Sequence, residues 1–195
     1  MIIQYNRPLT PLNLDNVKYI VVHHIAGSKA TAQDVHDWHL ARGWAGAGYN
    51  EYITKDGKLH MMRGDHVGAH TLGYNDKSYG IALEGDFNKE YLTTEQHKTL
   101  VDRLVHHQQR LKGAEIVGHG ELTNTMCPGI YVDMGAIKGS VKRVMDNGQV
   151  ITDINEALDI LFKKGIINSK GYWLKTIDTV NWQREFILNI ANFVK

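Results

Sequence analysis

Residues 18–27, KYIVVHHIAG, carry an apolar, β-rich run straight into two adjacent histidines and a glycine. Val17 to Val22 is apolar almost throughout, the pattern of a strand buried on both faces in the middle of a sheet. His23 and His24 then stand at its exit. Neighbouring side chains on a strand point to opposite faces, so only one of the pair can readily face a common ion. Periodicity leaves open which one it is.

The segments around this strand predict an α/β domain: a mixed central sheet flanked by helices on both faces. A helix starts near Thr31 with Asp34 as its capping-box partner, turns Val35, Trp38 and His39 inward, and stops at Gly43. Tyr49 to Thr54 and Lys58 to Met62 read as two strands joined by the Lys-Asp-Gly turn. Residues 79–85, YGIALEG, form a further strand. Thr93 and Gln96 open a helix with Leu100, Val101, Leu104, Val105 and Leu111 at helical spacing, and AEIVGHGEL supplies a short strand ending at His119.

Composition narrows the function. The chain has 195 residues, 43% of them hydrophobic, enough for a substantial core. Its 22 basic and 21 acidic residues nearly cancel, which argues against the broad basic surface of a nucleic-acid binder. The first 16 residues lack the charged and apolar regions of a signal peptide, and no apolar run approaches the roughly 20 residues that cross a bilayer. A lone cysteine, Cys127, excludes an internal disulfide framework. It is a buried filler, a reactive thiol or a metal ligand, and eleven histidines keep the third option open.

Residues 117–129, VGHGELTNTMCPG, place His119 and Cys127 eight positions apart around a loop. With one strand-end histidine they make two imidazoles and a thiolate. Those are three good zinc ligands that leave a fourth position open, the arrangement of a catalytic site. His36 and His39 also have ligand-like helical spacing, but a helix face beside Trp38 needs polar edges, and they are read as structural.

Four blocks in this order, VVHHIAG, GYNEYITKDGKLH, AHTLGYNDKSYGIALEG and GHGELTNTMCPG, resemble the zinc-dependent N-acetylmuramoyl-L-alanine amidases. That fold is shared by phage lysozyme-type amidases and peptidoglycan recognition proteins. The resemblance covers about residues 17–135 and implies Zn2+ held by His23, His119 and Cys127, with His24 a neighbour. It implies that Tyr49 lies near the reacting water and donates to the developing oxyanion, where the alternative is a core aromatic. Thr125 occupies the place where some phage relatives have lysine; its hydroxyl can hydrogen-bond the tetrahedral intermediate but supplies no positive charge. Ala82 stands where another branch has glutamate. Glu84, two residues on and therefore on the same strand face, is either a general base or a sheet-end carboxylate paired with a basic group. Trp44, His70 and Asn75 are expected to contact substrate, although Trp44 suits a core plug equally well.

The implied activity is hydrolysis of the amide between N-acetylmuramic acid and L-alanine in bacterial peptidoglycan, as in a phage or prophage endolysin. Such an enzyme accumulates in the host cytoplasm before lysis and then acts on the wall, with neither nucleic acid nor membrane as partner. The competing reading is a non-catalytic peptidoglycan-binding module of the same fold, which typically lacks the cysteine ligand. A metal-dependent nuclease would need a basic groove.

Near residues 145–153, MDNGQVITD, the composition shifts, dividing a catalytic domain over 1–147 from a small all-helical module over 150–195. The module's helices are expected over 154–164, 170–176 and 179–194, with Gly165 as a stop and Asp178 as an N-cap. About 45 residues make a marginal independent core, so the module needs the first domain or a second copy in a homodimer. Trp173 and Trp182 look exposed, and wall binding, dimer contact or internal packing would each suit them.

Overall fold

The computed structural model describes residues 4–27, 29–147, 154–176 and 183–194. Its centre is a five-stranded mixed sheet in the order β3-β2-β4-β1-β5. The strands are β1 (Tyr19–His24), β2 (Glu51–Ile53), β3 (Leu59–Met61), β4 (Ser78–Leu83) and β5 (Glu115–Gly118). β1 lies parallel to both β4 and β5, β2 is parallel to β4, and β3 closes the β2 edge as an antiparallel hairpin partner. The first strand begins two residues later than the apolar run suggests, and it contains both histidines.

Alternation along β1 sorts the core into two layers. Ile20 and Val22 join Tyr79, Ile81, Leu83 and Ile53 on the face covered by α2 (Thr94–Arg110) and α4 (Met134–Asn147), where Leu100, Leu104, Ile137 and Val141 fill the space. On the other face Tyr52 and Ala82 pack beneath α1 (Ala32–Ala41) through Ala32 and Val35. His23 pairs in register with Ala82 on this second face, so one residue of the His-His pair faces each layer.

Two helices of the sheet layer, α1 and α2, start at capping boxes. Thr31 accepts from the Asp34 N–H at 3.1 Å, while Asp34 accepts from the Thr31 N–H at 2.8 Å. Thr93 does the same with Gln96, and its hydroxyl also donates to the Lys55 carbonyl at 2.7 Å, tying α2 to the β2–β3 turn. Thr93→Ala is expected to cost about 1–2 kcal/mol, read as a lower urea midpoint at unchanged slope.

The inward face of α1 differs from expectation. Its buried stripe is Ala32, Val35, His36 and His39, while Trp38 is 46% exposed. Spacings of three and four align those four residues on one side of the helix, and Trp38 falls off that stripe.

The tail folds as α5 (Ile154–Lys163), α6 (Lys170–Thr176) and α7 (Gln183–Val194). Ala157, Leu158, Leu161, Ile187, Leu188 and Ala191 form a separate apolar cluster, with Trp173 partly buried against it rather than free. α7 packs on α4 as well as on α5, so α4 supplies part of the cover that so small a helical cluster lacks. Gly165, at φ 71°, ends α5 in the left-handed conformation. Asp178 and Trp182 lie outside the described residues. Among the described residues no helix is long and apolar enough to cross a membrane.

Candidate metal centre and cleft

The parallel strands β1 and β5 end side by side, and the chemistry-bearing residues gather beyond their carboxyl ends, where open α/β sheets commonly place a site. His23 is the fifth residue of β1. His119 directly follows β5 and opens a one-turn helix, α3 (His119–Leu122), which Glu121 holds by accepting from the Gly118 N–H at 2.6 Å. The chain then turns back to Cys127. The Gly120 N–H donates to the Cys127 carbonyl at 2.7 Å, and the Cys127 N–H donates to Thr125 Oγ1 at 3.2 Å. A side chain at Gly120 would put its Cβ 2.5 Å from the Thr125 carbonyl oxygen, so this return needs glycine.

One donor atom each from His23, His119 and Cys127 lies within 4.8 Å of the others. His23 Nδ1 is 3.7 Å from Cys127 Sγ. A tetrahedral zinc with nitrogen at about 2.0 Å and sulfur at about 2.3 Å separates such ligands by roughly 3.5 Å, so the donor set and its spacing fit the ion. Burial drives the His23 imidazole well below its ordinary pKa, and the neighbouring His70, His119 and His24 push the same way. Burial likewise lowers His119. The Cys127 thiol is pushed up to about 11 by burial, against the His24 N–H, which donates to Sγ at 3.3 Å. The centre therefore offers two neutral imidazoles and a thiol that gives up its proton when a cation arrives.

His24 faces the other layer. Its Nδ1 accepts from the Phe87 N–H at 3.1 Å, and its ring stacks on the Phe87 ring. The pair is thus divided between the His-His-Cys donor cluster and a brace for the loop after β4.

A cleft of about 460 Å³ opens beside the centre, with Trp44, His70, Leu72 and His119 among its walls. Tyr49 stands next to it, its ring centroid 5.2 Å from that of His23. Burial holds the Tyr49 phenol well above its ordinary pKa, and the nearby Cys127 adds to the effect, so the group is a hydroxyl able to donate. Trp44 is half-buried, leaning on His39 at 4.7 Å between centroids while one side lines the cleft. Thr125 is exposed, and its oxygen orders the Cys127 turn.

The structure gives three of the candidate residues another job. Glu84 does not reach the centre: its two carboxylate oxygens accept from the Ala30 N–H at 3.2 Å and the Lys55 N–H at 2.8 Å, so it stitches two loops together. Both of these partners are main-chain donors rather than basic side chains. Asn75 lines the cleft, but its Oδ1 accepts from the His70 and Thr71 N–H groups at 2.8 and 2.9 Å and so holds a loop in shape. His70 also lines the cleft, yet its Nδ1 is 3.0 Å from His23 Nε2. Burial, with His119 and Arg63 in the same sense and a hydrogen bond to the Ser78 main chain opposing, lowers the His70 pKa to about 3.

His36 and His39 accept from the Ala47 and Gly48 N–H groups at 3.2 and 2.9 Å, fixing the glycine-rich loop that carries Trp44 and Tyr49. Sequence reading missed Thr71, whose Oγ1 touches both His70 and His23. A signal for this cluster was present in Gly80, at the middle of β4: a Cβ there would sit 2.6 Å from the His70 ring.

The family model for N-acetylmuramoyl-L-alanine amidase matches residues 13–130. Peptidoglycan-recognition protein SC2 of Drosophila melanogaster is 35% identical over 129 residues, which span 60% of this chain and 70% of that protein. The endolysin of Klebsiella phage KP32 is 30% identical over 115 residues, 54% of this chain and 76% of its own. The solved structure of N-acetylmuramoyl-L-alanine amidase LysC from Clostridium intestinale aligns with a TM-score of 0.68 at 31% identity, covering 73% of this chain and 95% of LysC. Sheet, centre and cleft fall within this shared span, and the chain belongs to the N-acetylmuramoyl-L-alanine amidase family.

Proposed function

We propose that this protein hydrolyses the amide joining N-acetylmuramic acid to L-alanine in bacterial peptidoglycan, with Zn2+ held by His23, His119 and Cys127. The observation that carries this reading is the convergence of those three donors beside an open cleft that His119 lines. When bound, zinc supplies a Lewis acid that acidifies water and polarises the scissile carbonyl. The chain's residues do the rest. Trp44 offers an aromatic wall along which a sugar or peptide can lie. Tyr49 donates its hydroxyl proton toward the carbonyl oxygen as charge grows there, a contribution on the order of 10²–10³ in rate. Thr125 adds a second neutral donor on the Cys127 turn. Residues 150–195 are proposed to hold the enzyme on the wall, where Phe162 and Tyr172 present exposed aromatic surface.

The test is release of new L-alanine amino termini from purified cell wall, with reducing sugars followed in parallel. Amine release that vanishes on metal stripping and returns with zinc, without reducing ends, is the expected result. Wall binding with no amine release under any metal condition overturns the enzyme reading in favour of a recognition module, a role borne in name by some of the relatives.

A further inference from the structure

His70 was expected at the substrate, yet both of its ring nitrogens are directed into the protein, and their partners form a continuous chain behind His23. His23 Nε2 lies 3.0 Å from His70 Nδ1 and 3.4 Å from Thr71 Oγ1. Thr71 Oγ1 is 2.9 Å from the same His70 nitrogen. His70 Nε2 faces Ser78 Oγ at 3.5 Å, and the Ser78 hydroxyl donates to the Tyr74 carbonyl at 2.7 Å. Gly68 and Gly80 press on the His70 ring: a Cβ at either would come within 2.3 or 2.6 Å of it. Asn75 fixes the backbone of both His70 and Thr71.

Proton counting along this chain has one outcome. The Ser78 hydroxyl proton is spent on Tyr74, so Ser78 Oγ presents a lone pair and the His70 proton belongs on Nε2. That leaves His70 Nδ1 as an acceptor. The His23 Nε2–H then donates either to that nitrogen directly or to Thr71 Oγ1, whose own proton goes to His70 Nδ1. Both routes keep the His23 proton on Nε2 and leave the Nδ1 lone pair directed at Cys127 Sγ, 3.7 Å away. We propose that His70, braced by Thr71 and Ser78, is a positioning residue that locks His23 into the tautomer and ring angle needed to bind a metal through Nδ1. The inference rests on the zinc reading above.

An outer partner of a metal-ligating histidine is generally worth 10–100-fold in metal affinity. The experiment has two arms. The first uses wild-type, zinc-loaded protein and long-range nitrogen–proton NMR spectra of the histidine rings. A His23 ring protonated at Nε2 and metal-shifted at Nδ1 is expected, whereas metal at Nε2 would overturn the proposal.

The second arm measures zinc affinity by chelator competition for wild type, His70→Leu, His70→Gln and Thr71→Val, with thermal melts of the metal-free proteins to verify folding. Leu is expected to weaken zinc by about 10–100-fold and Gln, which keeps an acceptor oxygen, to restore most of it. Thr71→Val is expected to weaken zinc by a smaller factor. Unchanged zinc affinity in a folded His70→Leu protein, with only KM raised, would show that His70 serves the substrate alone. If wild-type protein takes up no stoichiometric zinc, the metal reading itself fails and this inference falls with it. A loss confined to the variants cannot be mistaken for that result.

Discussion

Cys127→Ala is expected to reduce amine release from cell wall by on the order of 10³-fold or more, because it removes the only anionic donor of the centre. A single neutral oxyanion donor is worth about 10²–10³, and in the proposed mechanism the metal would serve both water and carbonyl, so losing it is expected to cost at least as much. The substitution leaves the core largely intact, because Cys127 is only partly buried and belongs to none of the apolar clusters. His23→Ala is expected to match it in activity and in zinc loss. His24→Ala is the control, since its ring serves Phe87 on the other layer. It should retain zinc at one ion per chain and most of its activity, with a somewhat lower melting temperature. Zinc loss in His24→Ala with retention in His23→Ala would reverse the assignment of the pair.

Glu51→Ala is expected to be the most destabilising single change outside the centre. Glu51 is fully buried on the first residue of β2. Arg103 grips its carboxylate with two donors at 3.0 and 2.5 Å, His107 donates at 2.9 Å and Tyr79 at 3.2 Å. Arg110 continues the network by donating to His107 Nδ1 and to Asp65. Removing the carboxylate leaves a guanidinium, an imidazole and a phenol without their acceptor in the α2 layer. Breaking such a buried set costs about 3–5 kcal/mol, a fall in Tm on the order of 10 °C for a chain of this size.

The same residue makes stability depend on pH. Burial pushes the Glu51 pKa up, but the hydrogen bonds from His107 and Arg103 outweigh it and bring the carboxyl to about 2, below its ordinary 4.5. A depressed carboxylate contributes stability that is fully present above the unfolded value and lost as pH falls through the folded one. Wild-type stability should therefore drop between about pH 4.5 and pH 2. Glu51→Gln should lack that part of the slope, and the difference between the two profiles separates Glu51 from the other acidic groups, which titrate in both proteins. Parallel profiles would show that Glu51 is not the group responsible.

The network also shows where local reading stops. Glu51 and Arg103 are 52 positions apart, and nothing near either announces the other. Arg103, His107 and Arg110 become a cluster only when α2 lies against Glu51 of β2 and Tyr79 of β4. Trp38 shows the same limit from the other side. Helical spacing allows more than one inward stripe, and the sheet beneath α1 chose the stripe with His36 and His39 because those rings meet the N–H groups of Ala47 and Gly48.

What the sequence determined by itself was what short-range physics controls. The capping boxes at Thr31 and Thr93 set two helix starts because their partners are three residues away. The apolar run before His23 demanded a central strand, and the Lys-Asp-Gly turn demanded a hairpin. His119 and Cys127 could be named as partners because one short loop joins them. Only the tertiary structure decided which histidine of the pair joins them, because a strand's two faces are equivalent until a sheet and its covering helices make them different. Glu84 was read as a general base or a paired carboxylate, and Asn75 and His70 as substrate contacts, because sequence neighbours do not show which hydrogen bonds a side chain makes. Glu84 and His70 found hydrogen-bonding partners on distant segments that only the folded chain brings within 3.2 Å, and Asn75 closed a local loop whose shape depends on its place in the fold.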